Sequence, residues 1–183
     1  MIYSTEWLLD QLAQSPQVKY LFFWGHQPTK DGAITKTCFS QWWLADFVVA
    51  DITYRSSEHW MMAEKARLFG DENTLATILA AKSPAEAKKL GRTIQRFEPE
   101  VWEARKVDIV ITGNLHKFSQ NLSLRQFLLS TNDRVLVEAS PVDVIWGIGL
   151  AADSADATDP ARWQGPNLLG FALMEVRDQL RNT

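Results

Sequence analysis

The sequence predicts an α+β fold, predominantly helical with a small, largely antiparallel sheet. Three observations carry that expectation. Runs with strand character are few and short, namely residues 18–24, 47–54 and 134–139. Helical periodicity, punctuated by cap residues, fills most of the remaining chain. The repeated strand–helix alternation of a doubly wound parallel fold is missing.

Residues 3–14 read as a short helix ending before Pro16. Residues 18–24 (VKYLFFW) read as a buried strand bounded by Gly25. Residues 25–40 form a polar connection with a turn at Asp31-Gly32. Residues 47–54 (FVVADITY) predict two strands around a tight turn, although Ala50-Asp51 lacks the glycine such turns favour. Helices follow over 56–69, stopped by Gly70, and over 72–81. Ser83-Pro84 opens another helix, since serine caps and proline suits the first helical position. Glu98-Pro99 opens the longest, running to about 118, and a further helix covers about 121–130. Residues 134–139 (RVLVEA) form a strand, and 142–150 (VDVIWGIGL) an apolar, glycine-punctuated loop. Residues 151–163 (AADSADATDPARW) read as an exposed excursion. The last helix, about 167–181, carries Leu169, Leu173, Val176 and Leu180 on one stripe.

The 183 residues are read as one domain, 1–183, large enough to bury a core without staples. Hydrophobic and charged contents of 46% and 22% are those of an ordinary soluble protein. The net charge of −3 gives no global attraction to nucleic acid or anionic membranes. Cys38 is the single cysteine, so no intrachain disulfide can form, and a reducing compartment fits. MIYSTEWLLDQL lacks the pattern of a secretory leader, and no apolar run approaches the roughly 20 residues that span a bilayer. A cytoplasmic location and no membrane partner are therefore expected. His26, His59 and His116 are far apart, and zinc, P-loop, dinucleotide and nucleophile-elbow motifs are missing. Neither a metal nor a cofactor is expected. Eight tryptophans stand out; for any single one the core reading is favoured, although indole faces also suit stacking on a base or sugar.

Three constellations carry candidate chemistry. In YRSSEHWMMAEK, Ser56 or Ser57 caps a helix with Glu58 in its first turn, while Lys65 follows seven residues on, along the same face. Glu58 is then either a helix-starting carboxylate or one wall of a pocket. On the long helix, Trp102, Lys106, Ile109, Gly113 and Lys117 share a face. An indole, two lysines and a glycine suit a base or sugar beside phosphate; the alternative, which periodicity alone favours, is that Trp102 is core and the lysines snorkel. In DVIWGIG, Asp143 sits among apolar residues before Trp146, Gly147 and Gly149, and either caps a turn or faces a ligand.

With these motifs in place, the sequence resembles the NADAR superfamily, also called YbiA-like proteins. The resemblance rests on Phe39-Ser40-Gln41-Trp42, Ser57-Glu58-His59-Trp60 with Lys65, Ser83-Pro84-Ala85-Glu86-Ala87 and Gly91-Arg92. It continues through Trp102, Asn114 with Lys117-Phe118, Leu128 to Thr131, and Leu136 to Ser140. It ends with Asp143, Trp146 to Gly149, and Trp163 through Asn167 to Arg177, spanning about residues 20–181. Ala50-Asp51 departs from an Asp-Gly-like hairpin, and the 151–163 stretch varies in length among members.

The resemblance implies a YbiA-like fold and cleavage of a ribose C1–N bond beside a phosphate. Members are similar to enzymes that release ribose 5-phosphate from a reactive ribosylamino-pyrimidine of early riboflavin synthesis. Others remove ADP-ribose from guanine in DNA as antitoxins. The implied partner is thus a small phosphorylated ribosyl or ADP-ribosyl substrate, or ADP-ribosylated DNA; a nucleotide-binding module without turnover is a further alternative. Such a bond cleaves through oxocarbenium character at C1, which calls for negative charge near the ribose and a group that handles the proton. The resemblance implies Glu58, Asp143 and Trp102 as catalytic residues. Trp146, Gly147, Lys65, Lys106, Lys117, Arg92, Phe39 and Asn114 are implied to bind substrate. His59 is expected to pack or hydrogen-bond.

Overall fold

Ser4 starts the first helix, its side-chain oxygen accepting the Trp7 N–H, and α1 runs Thr5–Gln14. The computed structural model describes residues 1–15 and 17–182; Pro16, the expected stop, lies outside them, as does Thr183. The order continues with β1 (Tyr20–Phe23), a 3-10 turn (Lys36–Phe39), β2 (Phe47–Val49), β3 (Ile52–Tyr54), α2 (Ser57–Leu68) and α3 (Glu72–Leu79). Then come α4 (Pro84–Gly91), α5 (Pro99–Gln120), α6 (Leu122–Leu129), β4 (Val135–Glu138), a 3-10 turn (Pro160–Arg162) and α7 (Leu168–Arg181). The fold is α+β and rich in helix, as the periodicity predicts. Ser56, Asp71 and Ser83 cap their helices through side-chain oxygens, and Pro84 and Pro99 occupy first turns.

The chain divides into two units, Met1–Ser40 with Ser123–Thr183, and Gln41–Leu122. In the first, β1 and β4 pair in parallel, Tyr20 opposite Val135 through Phe23 opposite Glu138. This parallel pair is a two-stranded sheet of its own, separate from the expected antiparallel hairpin. The apolar run of β4 fits that role, since a strand covered on both faces need not alternate. Helix α7 packs on β4, and Asn167 ties the two together. Its Oδ1 accepts the Glu138 N–H and its Nδ2 donates to the Leu136 carbonyl, both at 2.9 Å. The 151–163 segment is more anchored than an exposed excursion: Ala157 and Pro160 are buried, and the Trp163 indole donates to the Ala157 carbonyl. Small residues let this backbone fold onto itself.

In the second unit, β2 and β3 form the antiparallel hairpin, Phe47 opposite Tyr54. Ala50 and Asp51 both adopt positive φ, 48° and 63°. Strand twist selects this turn geometry, which overrides the local preference of alanine for negative φ. Converting Ala50-Asp51 to Asn-Gly should therefore stabilise the protein by about 1 kcal/mol. A urea midpoint equal to wild type would contradict that account.

Helix α2 forms the centre of this unit, against α3, α4 and α5. It buries Ser57 through Ala63 and Ala66, so it is covered nearly all round rather than on one stripe. Its polar residues consequently need protein partners or a function. Among the described residues no helix is long and apolar enough to cross a membrane.

Candidate active site

Glu58 lies in the first turn of α2 and is 2% exposed. Its backbone N–H donates to the Gln41 carbonyl at 2.9 Å. The Gln41 side chain meanwhile accepts from Asn114 Nδ2 at 2.9 Å, so one residue ties α5 to the first turn of α2. Asn114, fully buried, also donates to the Val110 carbonyl and accepts the Ser57 hydroxyl at 3.3 Å. This polar layer fixes the backbone that carries Glu58. Its place in the first turn sets it at the positive end of the α2 dipole, on a rigid element.

His59 has a packing role, as expected. Its Nε2 donates to the Ala81 carbonyl at 3.2 Å, because a carbonyl only accepts. Nδ1 is then the acceptor for the Ser56 hydroxyl at 2.8 Å. Burial lowers the imidazole pKa and keeps the ring neutral.

Lys65, further along α2, is brought to Trp102. Its ammonium donates to the Gly91 carbonyl at 3.1 Å, with ring centroids of Phe97 and Trp102 at 4.2 and 5.4 Å. Desolvation lowers its pKa, yet the aromatic faces favour the cation. Phe97 is a member of this cluster that sequence reasoning missed; it precedes the Glu98-Pro99 helix start and belongs to no periodic pattern.

The face of α5 holds a more varied arrangement. Lys106 is buried and paired with Glu103, and Lys117 is fully buried with its ammonium 5.1 Å from the Phe118 ring. Neither lysine snorkels to solvent. Gly113 does not leave room for a ligand: a Cβ there would lie 2.2 Å from Trp60 Cδ1. The Trp60 indole fills the space and donates to the Ile109 carbonyl at 2.8 Å. Arg92 is exposed at the end of α4.

The remaining predicted residues belong to the first unit. Asp143 is half-buried, and its Oδ1 accepts the backbone N–H groups of Ile145 and Trp146 at 2.9 and 2.7 Å. It thereby shapes the loop that presents Trp146, itself half-buried. Gly147 permits close approach to β4, since a Cβ would meet the Glu138 carbonyl at 2.7 Å. Phe39 is fully buried, its ring 5.5 Å from Phe23 and 5.4 Å from Phe127, in the core of that unit. Among the described residues no group of three or more His, Cys, Asp or Glu could hold a metal ion.

A sequence profile of the NADAR domain matches residues 22–181. A mimivirus protein of Acanthamoeba polyphaga, N-glycosidase R617, is 42% identical over 88% of this chain and 96% of its own. The chloroplastic riboflavin biosynthesis protein PYRR of Zea mays is 37% identical over 72% of this chain, but that match covers only 20% of the maize protein. Among solved structures, the NMR structure of the Escherichia coli protein YbiA superposes with a TM-score of 0.72 at 28% identity. It covers 91% of this chain and 87% of that one.

Proposed function

We propose, from the premise that this chain belongs to the NADAR domain family and is an N-glycosidase, that it acts on a phosphorylated ribosylamine. The substrate would be an early riboflavin-pathway ribosylamino-pyrimidine, hydrolysed at the ribose C1–N bond to release ribose 5-phosphate. The observation that carries this substrate choice is the likeness to a stretch of the maize protein named for riboflavin biosynthesis. The buried carboxylate of Glu58, on a backbone that the Gln41–Asn114 layer fixes, supports the chemistry.

In this reading, Glu58 supplies negative charge as the C1–N bond lengthens and C1 gains cationic character. It then accepts a proton from the water whose oxygen bonds to C1 and returns that proton to the departing nitrogen, so the water is split between C1 and the amine and the carboxylate is restored. Lys65 keeps two N–H donors beyond its bond to the Gly91 carbonyl, and they suit a substrate phosphate. Trp102 forms a wall beside that ammonium. Asp143 acts as a positioning residue for the Trp146-Gly147 loop.

The test is turnover measured side by side on the ribosylamino-pyrimidine phosphate and on ADP-ribosylated single-stranded DNA. Ribose 5-phosphate released from the first, at a rate well above that on the DNA, is the expected result. Turnover of the DNA alone would overturn the substrate choice and leave the bond class intact.

A further inference from the structure

A cavity of about 610 Å³ opens within the first unit, and none of the residues discussed for the active site line it. It lies among α1, the chain entering β1, residues 132–135 and the C-terminal half of α7. Its volume is that of a site for a small organic ligand. Tyr3 and Trp7 supply an aromatic wall, meeting edge to face at 4.7 Å, and both are half-buried. Helix α1 lies outside the residues that the NADAR profile matches, so this wall is not part of the family's matched region.

The electrostatics of the lining oppose those of the whole chain. Lys19, Arg134, Arg177 and Arg181 face a single carboxylate, Asp133, in a protein of net charge −3. Asp133 is itself paired with Arg181 at 3.1 Å. Nearby Asp178 is engaged by Arg181 and by the Tyr3 hydroxyl, and Glu175 accepts the Ile2 and Tyr3 N–H groups. These bonds leave Arg177 in an unusual position. It is 2% exposed, and Nη1 donates only to neutral oxygens, Thr131 Oγ1 at 3.0 Å and the Arg134 carbonyl at 2.8 Å. Among the described residues it forms no ion pair, and its buried Nε makes no hydrogen bond. A buried guanidinium with an unmet donor is costly when its nearest carboxylates, Asp178 and Asp133, act only from beyond ion-pair distance, and a bound anion would complete it. Desolvation, with Arg181 adding to it, lowers its pKa accordingly.

We propose that this cavity is a second ligand site, which takes a phosphate monoester bearing a flat aromatic group, such as a nucleoside monophosphate. The phosphate sits with Arg177, Arg181 and Lys19, where a doubly charged anion gains most from convergent guanidinium donors. The ring lies against Trp7, whose indole face tolerates any base.

The experiment is an NMR titration of the full ¹⁵N-labelled chain carrying Glu58→Gln, with AMP, ribose 5-phosphate and inorganic phosphate in turn. AMP is expected to shift the Trp7 indole and the Lys19 and Arg134 amides saturably. The two ligands without a base should move the amides but not the indole, and bind at least tenfold more weakly. Lys19→Ala with Arg134→Ala, both on exposed positions, should weaken AMP binding at least tenfold in a chain that remains folded. Unmoved signals at Trp7, Lys19 and Arg134, or an AMP affinity unchanged in the double variant, would overturn the site. Inorganic phosphate binding as tightly as AMP would overturn the assignment of the aromatic group.

Discussion

Replacing Glu58 by glutamine should lower kcat on the ribosylamino-pyrimidine phosphate by about 10³-fold or more, equivalent to ~4 kcal/mol of transition-state stabilisation. KM should change far less, because the charge matters most as C1 becomes cationic. The fold should survive. What holds the first turn of α2 is the Ser56 cap and the Glu58 N–H donating to the Gln41 carbonyl, and neither uses the carboxylate. Steady-state kinetics with a thermal melt beside them separate the two effects. Turnover near the wild-type rate would remove Glu58 from the mechanism, and a variant that is merely unfolded would point to a structural carboxylate.

Gly113→Ala should be the most damaging single-methyl change on α5. The new Cβ would lie 2.2 Å from Trp60 Cδ1 and 2.7 Å from Nε1, so the indole must move. It has little freedom to do so. Its N–H is bonded to the Ile109 carbonyl, and its ring meets Tyr54 edge-on at 5.1 Å, with Phe47 at 6.5 Å and His116 at 6.3 Å. Overpacking plus a lost buried hydrogen bond should cost ~3 kcal/mol. Urea unfolding measures it directly, and a midpoint at the wild-type value would mean that the indole repacks without penalty.

The same glycine marks the limit of what the sequence carries. A glycine on a helix face opens space, but whether an indole or a substrate fills it depends on a residue more than fifty positions away. By contrast, the capped start of α2 was legible because Ser56 and Glu58 act within a single turn. The hairpin at 47–54 was likewise legible from two short β-rich runs close in sequence, though Ala50-Asp51 argued against its turn. Strand β1 was legible as a strand but not as a parallel one, since its partner β4 lies beyond the whole second unit. At the site, Asn114 and Gln41 carried no local signal of their partnership. Asp143 showed both a turn and a ligand reading, and the choice between them lies in the fold of its loop, where Oδ1 accepts the Ile145 and Trp146 N–H groups.

The β1–β4 pairing also constrains how the chain reaches its native form. The first unit is discontinuous, so those two strands meet only after a loop containing all of Gln41–Leu122 has closed. Loop-closure entropy grows slowly, by about 0.6 kcal/mol per doubling of length, so the demand falls on folding time more than on final stability. The second unit shortens that search from within. Asn114 bonded to Gln41, and Asn121 bonded to the Asp46 carbonyl at 3.1 Å, hold its two ends close once it has folded. The amide that steadies the backbone at Glu58 thus also serves as a clasp, turning a long contact in sequence into a short one in space.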